Sequence, residues 1–135
     1  MKILVDTNVI LDVLCDRKAV VADSLKVFKY CEANIITGYI SALSIPNIMY
    51  IMRRELDAES AKKILNSFNT IFLIADLRET DLQKAAYLSF NNYEDAVQSA
   101  GASRIKADYI VTRNTKDFKT SAVPAITPAE LFKLI

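Results

Sequence analysis

The chain opens Met1-Lys2-Ile3-Leu4-Val5-Asp6-Thr7-Asn8-Val9-Ile10-Leu11-Asp12-Val13-Leu14, and the reading of this stretch decides the fold class. Lys2 to Asp6 reads as a short buried strand, because its apolar residues follow one another without polar alternation. Asn8 to Leu14 then reads as a short helix. A buried strand passing straight into a helix is the start of an α/β unit, and the residues beyond it repeat the alternation.

Ala19 to Ala33 places Val21, Leu25 and Phe28 at helical spacing with charges opposite. Ile35 to Ile40, apolar and β-branched around Thr37 and Gly38, predicts a second strand. Ser44 fits an N-cap and Pro46 a first-turn position, where its missing N–H costs nothing, for a helix running to about Arg54. Another helix from Asp57 to about Asn69 buries Ile64, Leu65 and Phe68, and Thr70 to Ile74 predicts a third strand. Thr80-Asp81-Leu82-Gln83 matches a capping box that opens a helix to about Phe90. Asn92 caps the next helix, which turns Ala96, Val97, Ala100 and Ile105 inward and ends near Lys106. Tyr109 to Thr112 is the fourth strand and Ala125-Ile126 a fifth. Thr127-Pro128-Ala129-Glu130 opens the last helix with a cap, a first-turn proline and a third-position glutamate. The expected architecture is an α/β sandwich around a mostly parallel sheet, with ligands bound outside the carboxyl ends of the strands.

With 135 residues, 52% of them hydrophobic, and no repeat or Pro/Gly/Ser linker, residues 1–135 are expected to form one domain. A net charge of +1 argues against a whole-surface nucleic-acid binder, so such a partner must be held by a local patch. Histidine is absent, which excludes Ser-His-Asp triads, Cys-His pairs, His-based ribonuclease chemistry and HExxH zinc sites. Glycine only at Gly38 and Gly101 excludes the common phosphate-cradling loops. Cys15 and Cys31 lack zinc spacing and lie in helical runs, so they read as buried free thiols in a reducing cytoplasm. Ile3-Leu4-Val5 is too short for a signal-peptide core. The uncharged stretch from Ala33 to Met52 is broken by Asn34, Thr37, Gly38, Ser41, Ser44, Pro46 and Asn47, so no membrane span is expected.

Hydrolysis without imidazole leaves carboxylate, amine, hydroxyl and metal. Asp6 ends the first strand, Asp117 lies five residues beyond the fourth, and Asp95 sits in the first turn of the helix feeding that fourth strand. Each has a duller reading: Asp6 as a helix cap, Asp95 as a helix-dipole acid, Asp117 in an Asx-type turn with Asn114. Asp12 and Asp16 read as solvated. If the three carboxylates converge, they need a divalent cation, and oxygen ligation with retained water fits Mg²⁺ or Mn²⁺. Such an ion can activate a water and stabilise a leaving oxygen. Arg113, Lys116 and Lys119 flank Asp117, while Arg104 and Lys106 precede the adjacent strand; they fit a phosphate-contacting rim or, equally, a solvated loop.

Asp6-Thr7-Asn8-Val9, then Tyr93-Glu94-Asp95-Ala96-Val97-Gln98, then Thr112-Arg113-Asn114 with Asp117-Phe118 together resemble PIN-domain ribonucleases, in particular the VapC-like toxins of prokaryotic toxin–antitoxin pairs. The resemblance spans essentially the whole chain, including Ile40-Ser41-Ala42-Leu43-Ser44 and Pro128-Ala129-Glu130-Leu131. It implies a three-layer α/β/α fold with a parallel sheet and Mg²⁺- or Mn²⁺-dependent endonucleolytic cleavage of RNA. It also implies a homodimer and often a small neutralising antitoxin. Asp6, Asp95 and Asp117 match the family's catalytic, metal-holding acids, and Asn114 a position that contributes to the same pocket. Asn47 stands where the family usually has a metal-coordinating glutamate, so one neutral oxygen replaces a charge. Asn92 stands where relatives often carry a further acid.

The leading reading is a metal-dependent endoribonuclease acting as a toxin. The alternative is a catalytically weak or inactive PIN-like module that binds RNA or a protein. A third, with Asp6 as a phosphoryl-accepting nucleophile of haloacid-dehalogenase type, wants a second Asp where Asn8 stands.

Overall fold

β1 (Lys2–Val5) is the middle strand of a five-stranded sheet in the computed structural model, which describes residues 1–135. It is flanked by β2 (Thr37–Ser41) and β4 (Tyr109–Val111), with β3 (Leu73–Ala75) and β5 (Ala125–Ile126) at the edges. The order is β3-β2-β1-β4-β5, and every neighbouring pair is parallel. The helices are α1 (Thr7–Leu14), α2 (Val21–Glu32), α3 (Ser44–Glu55), α4 (Ala58–Ile71), α5 (Glu79–Ala85), α6 (Tyr93–Arg104) and α7 (Pro128–Phe132). A 3-10 turn, Thr115–Phe118, links β4 to β5.

The unbroken apolar run of β1 serves two cores, since successive strand residues point to opposite faces. Ile3 and Val5 join Val9, Ile10, Val27, Phe28, Ile48 and Met52 under α1 to α4 and α7. Leu4 joins Ala102, Ile110 and Phe118 on the other face, under α6. Burial of each such side chain contributes about 1.5–3 kcal/mol, which is why Ile3, Leu4 and Val5 are all apolar while Lys2, only partly buried, is not. The result is the three-layer α/β/α sandwich.

Strand order also fixes where a ligand can sit. From β1 the chain winds to β2 and β3 on one side, then passes through α5 and α6 to β4 on the other. The switch point lies between the carboxyl ends of β1 and β4, where the Asp6 backbone N–H donates to the Val111 carbonyl at 2.9 Å.

Several local expectations shift. α4 continues to Ile71 and shortens the third strand, because Phe68 and Phe72 pack edge-on at 6.4 Å and Phe72 meets Phe28 at 5.0 Å. Gly38 in β2 lies against that pair: a Cβ there would stand 2.5 Å from Cys31 Sγ and 2.9 Å from Phe72 Cδ1. Leu25, expected inward, is exposed, and Ser24, Val27, Phe28 and Cys31 form the buried stripe of α2. Ser24 turns in because its hydroxyl donates to Asp12 at 3.0 Å. Ser44 does not cap α3; it is the first helical residue, and its hydroxyl accepts from the Thr7 hydroxyl at 2.7 Å. The expected Thr80 cap is displaced to Arg78, whose backbone N–H donates to Asp81, and that helix ends at Ala85. The Thr127–Glu130 box forms as expected, with Glu130 N–H on the Thr127 hydroxyl and Thr127 N–H on the Glu130 carboxylate.

Both cysteines are free, and burial pushes the Cys31 thiol up to about 12. No helix is long and apolar enough to cross a membrane.

Candidate active site

Asp6 leaves β1 with extended backbone and caps α1, so its bland reading holds: its Oδ1 accepts the Thr7 N–H at 2.7 Å. It also does more than cap. Oδ1 accepts from Gln98 Nε2 of α6 at 3.0 Å, and Oδ2 accepts from the Thr112 hydroxyl, at the end of β4, at 2.8 Å. A buried carboxylate is thus tied to both strands of the switch point and to the helix layer beneath them. Thr112, fully buried, also takes the Asn114 N–H at 3.1 Å, which bends the chain out of β4.

Asp95 lies in the first turn of α6, set by Asn92, whose side-chain oxygen accepts the Glu94 N–H at 2.8 Å and the Asp95 N–H at 3.4 Å. Its carboxyl is pushed up to about 6, first by burial and then by the negative charges of Asp6, Asp117 and Glu94. Asp117 occupies the 3-10 turn, its N–H on the Asn114 backbone carbonyl at 3.0 Å; the bond is backbone to backbone, and the side-chain Asx turn expected for this pair does not form. The topology therefore brings all three sequence acids into one electrostatic neighbourhood. None of them takes part in an ion pair.

The raised Asp95 carboxyl carries a stability prediction with a definite sign. Between about pH 4 and pH 6 the folded chain keeps a proton that the unfolded chain has released, so the ionised group weakens the metal-free fold above that window. Asp95→Asn is expected to raise the unfolding free energy in chelator by about 1 kcal/mol at pH 7.5, discounted for solvent screening of a half-exposed group, and to change nothing at pH 3.5. Urea titrations at both values measure this. An equal gain at both would mean that charge repulsion is not the cause.

The donors are all oxygens, the chemistry of a hard cation. As the side chains stand, no three of the chain's Asp, Glu and Cys residues enclose a position for one ion. The set fits a hydrated ion held by one or two carboxylates with water completing the shell, as Mg²⁺ usually is. A buried amide oxygen beside Asp6, Gln98 Oε1, has no hydrogen-bond partner and adds a free acceptor to the same place.

Asn47 is exposed in the first turn of α3, which the Thr7–Ser44 hydroxyl bond ties to the start of α1. Lys116 and Lys119 are exposed and, with Asp117, Ser89 and Asn91, border a recess of about 300 Å³. The two arginines behave otherwise. Arg113 Nε donates to Asp12 at 2.7 Å, so its charge is directed inward rather than to the rim. Arg104 is held by Asp81 at 3.0 Å and by Asp76 at 3.1 Å, which removes it from the rim as well.

Asp12 corrects the expectation of a solvated acid. It is fully buried, with Arg113 Nε at 2.7 Å, Arg17 Nη1 at 3.3 Å and Ser24 Oγ at 3.0 Å. The signal for it was present: position 12 follows Val9 by three on the inward stripe of α1. Asp16, by contrast, is exposed and pairs with Lys18. Gln98 was quoted only within a motif, yet it follows Asp95 by three and so shares its helix face.

A parallel sheet of this order with carboxylates at its switch point defines an α/β protein built to work at the strand ends. The chain matches the family model described as the PIN domain over residues 2–116, and it belongs to that family. Among solved structures it is similar in fold to VapBC2 from Rickettsia felis bound to a DNA fragment from their promoter, with TM-score 0.73, 17% identity, and 94% of this chain and 98% of that one covered. It is similar also to a toxin–antitoxin complex from Klebsiella pneumoniae, with TM-score 0.70, 20% identity, and coverage of 93% and 96%. A third is Mycobacterium tuberculosis VapC20, a sarcin-ricin loop cleaving toxin, with TM-score 0.61, 11% identity, and coverage of 80% and 86%. No curated protein matches the chain in sequence.

Proposed function

We propose that this chain is a divalent-metal-dependent endoribonuclease that hydrolyses RNA phosphodiester bonds and serves as the toxin of a toxin–antitoxin pair. One observation carries the reading: at the carboxyl ends of the strands Asp95 is pushed up to about 6, first by burial and then by the charges of Asp6 and Asp117, with no lysine or arginine paired to any of the three. Acids arranged at mutual cost at a ligand crevice are arranged for a cation. Asp6, Asp95 and Asp117 would hold Mg²⁺ or Mn²⁺, which supplies a water of lowered pKa and charge for the leaving oxygen. Asp6 is oriented for this by Thr7, Gln98 and Thr112. Asp95 gives up its proton as the charges of its neighbours are neutralised. Lys116, exposed and outside every ion pair like Lys119 on the same recess, would meet RNA phosphates beside Asp117, with Asn114 shaping the turn between them.

Similar solved structures that are toxin–antitoxin complexes, some on DNA, support an antitoxin partner. The family resemblance supports a homodimer acting on cytoplasmic RNA. A second reading, a PIN-like module that binds RNA or a protein with little catalysis, is favoured by Asn47 in place of a glutamate. Single-stranded RNA incubated with Mn²⁺ or with chelator separates them. Cleavage that chelator abolishes supports the enzyme, binding without cleavage supports the module, and neither result leaves no support for an RNA role.

Asn47→Glu asks whether position 47 faces the cation. It is expected to tighten Mn²⁺ binding about tenfold by adding a charge-assisted contact, and to lower the melting temperature in chelator by adding a fourth unpaired acid. Titration calorimetry and melts in metal and in chelator measure the two sides. Unchanged or weaker affinity would show that α3 begins out of reach of the site.

A further inference from the structure

Gln98 is 4% exposed, and its two amide atoms have opposite fates. Nε2 donates to Asp6 Oδ1 at 3.0 Å, whereas Oε1 is the one buried side-chain nitrogen or oxygen in the chain without a hydrogen-bond partner. The amide cannot turn over to relieve this, because an ionised carboxylate only accepts and Asp6 therefore requires the N–H side. A buried carbonyl left unmet costs free energy, and an apolar residue at this position of α6 would avoid that cost. Amide bond lengths put Oε1 about 2.3 Å from Nε2, hence within about 5 Å of Asp6 Oδ1. Oε1 therefore stands close to the Asp6 carboxylate, on the helix face that also carries Asp95.

A carboxylate offers about four lone-pair positions. Thr7 N–H and Gln98 Nε2 fill those on Oδ1, and the Thr112 hydroxyl fills one on Oδ2. The position left open is on Oδ2. Gln98 therefore closes one oxygen of Asp6 while holding out an acceptor of its own. No donor of the chain reaches Oε1.

We propose that Gln98 is a positioning residue for the cation site, fixing the Asp6 carboxylate through Nε2 and accepting at Oε1 a hydrogen bond from a water of the hydrated divalent ion. This rests on the metal-dependent reading above. Small divalent ions retain several waters, each a donor only on its outward side, which is the chemistry that Oε1 lacks. Partners of this second kind are worth roughly 10- to 100-fold in metal affinity. The rival is a private ordered water that satisfies Oε1 whether or not a cation is present.

The test is Mn²⁺ titration calorimetry with thermal melts in chelator and in Mn²⁺, on the full chain and on Gln98→Leu and Gln98→Met. The methionine variant is unbranched and of similar length, and serves if leucine does not pack. Both are expected to melt in chelator within a few degrees of the unsubstituted chain and to bind Mn²⁺ about tenfold or more weakly, so that Mn²⁺ raises their melting temperature less. A folded variant with undiminished Mn²⁺ affinity would overturn the proposal and assign Oε1 to a private water. Failure of the unsubstituted chain to bind Mn²⁺ would overturn the metal-dependent reading together with it.

Discussion

Asp12→Ala is expected to lower the unfolding free energy by about 3 kcal/mol, the largest loss of any single polar substitution in this fold. Asp12 is fully buried and gathers Arg113 from beyond β4, Arg17 from the α1–α2 loop and Ser24 from α2. Removing one member of a buried ion pair costs about 3–5 kcal/mol, because the partner is left desolvated and unpaired. The lower end applies here, since Arg113 and Arg17 keep 33% and 41% of their side chains exposed and can turn to water. Urea denaturation should show the midpoint falling with little change in slope, and the melting temperature should fall by roughly 10 °C. Replacing both partners, Asp12→Leu with Arg113→Met, should recover part of the loss, since an apolar pair leaves no orphaned charge. A loss under about 1 kcal/mol for Asp12→Ala would mean that the pair behaves as a surface contact.

Asp6→Asn is expected to reduce Mn²⁺-dependent RNA cleavage at least about a hundredfold, a barrier increase of roughly 2.7 kcal/mol, while the chain stays folded. The substitution keeps the shape of the side chain and removes its charge. It presents one N–H₂ where Thr7, Gln98 and Thr112 now donate to a carboxylate. Asparagine can keep its oxygen toward the Thr7 N–H and Gln98 Nε2 and turn its N–H₂ toward the Thr112 hydroxyl, which can rotate to accept, so the melt in chelator should shift by only a few degrees. A cleavage assay beside that melt reads both quantities. Undiminished cleavage by a well-folded variant would remove Asp6 from the chemistry and leave it as the cap of α1.

The elements that could be read in the sequence are those whose causes lie within a few residues. The apolar run before Asp6 makes a strand buried on both faces, Asn92 and Thr127 cap their helices, and the strand–helix alternation gives the parallel sheet. The order of acids after strands pointed to the switch point, where burial and then the charges of Asp6 and Asp117 raise the Asp95 carboxyl. The errors arose where a partner is remote. Leu25 was read inward on spacing alone, but Ser24 takes that side because Asp12 needs its hydroxyl. Thr80 had the pattern of a cap, but Asp81 is drawn down onto Arg104, 23 positions away, and the helix starts earlier to let it.

Sequence by itself determined the α/β class, the burial of β1 and which acids follow strands, because hydrophobic periodicity, capping and strand ends act over one turn or one strand of chain. Tertiary structure alone decided which polar residues leave water: Asp12 with Arg113 across 101 positions, and Gln98 with Asp6 across 92. A buried charge or amide is stable only when its partners arrive together, and partners brought in by different elements of the fold leave no periodic trace in the chain between them.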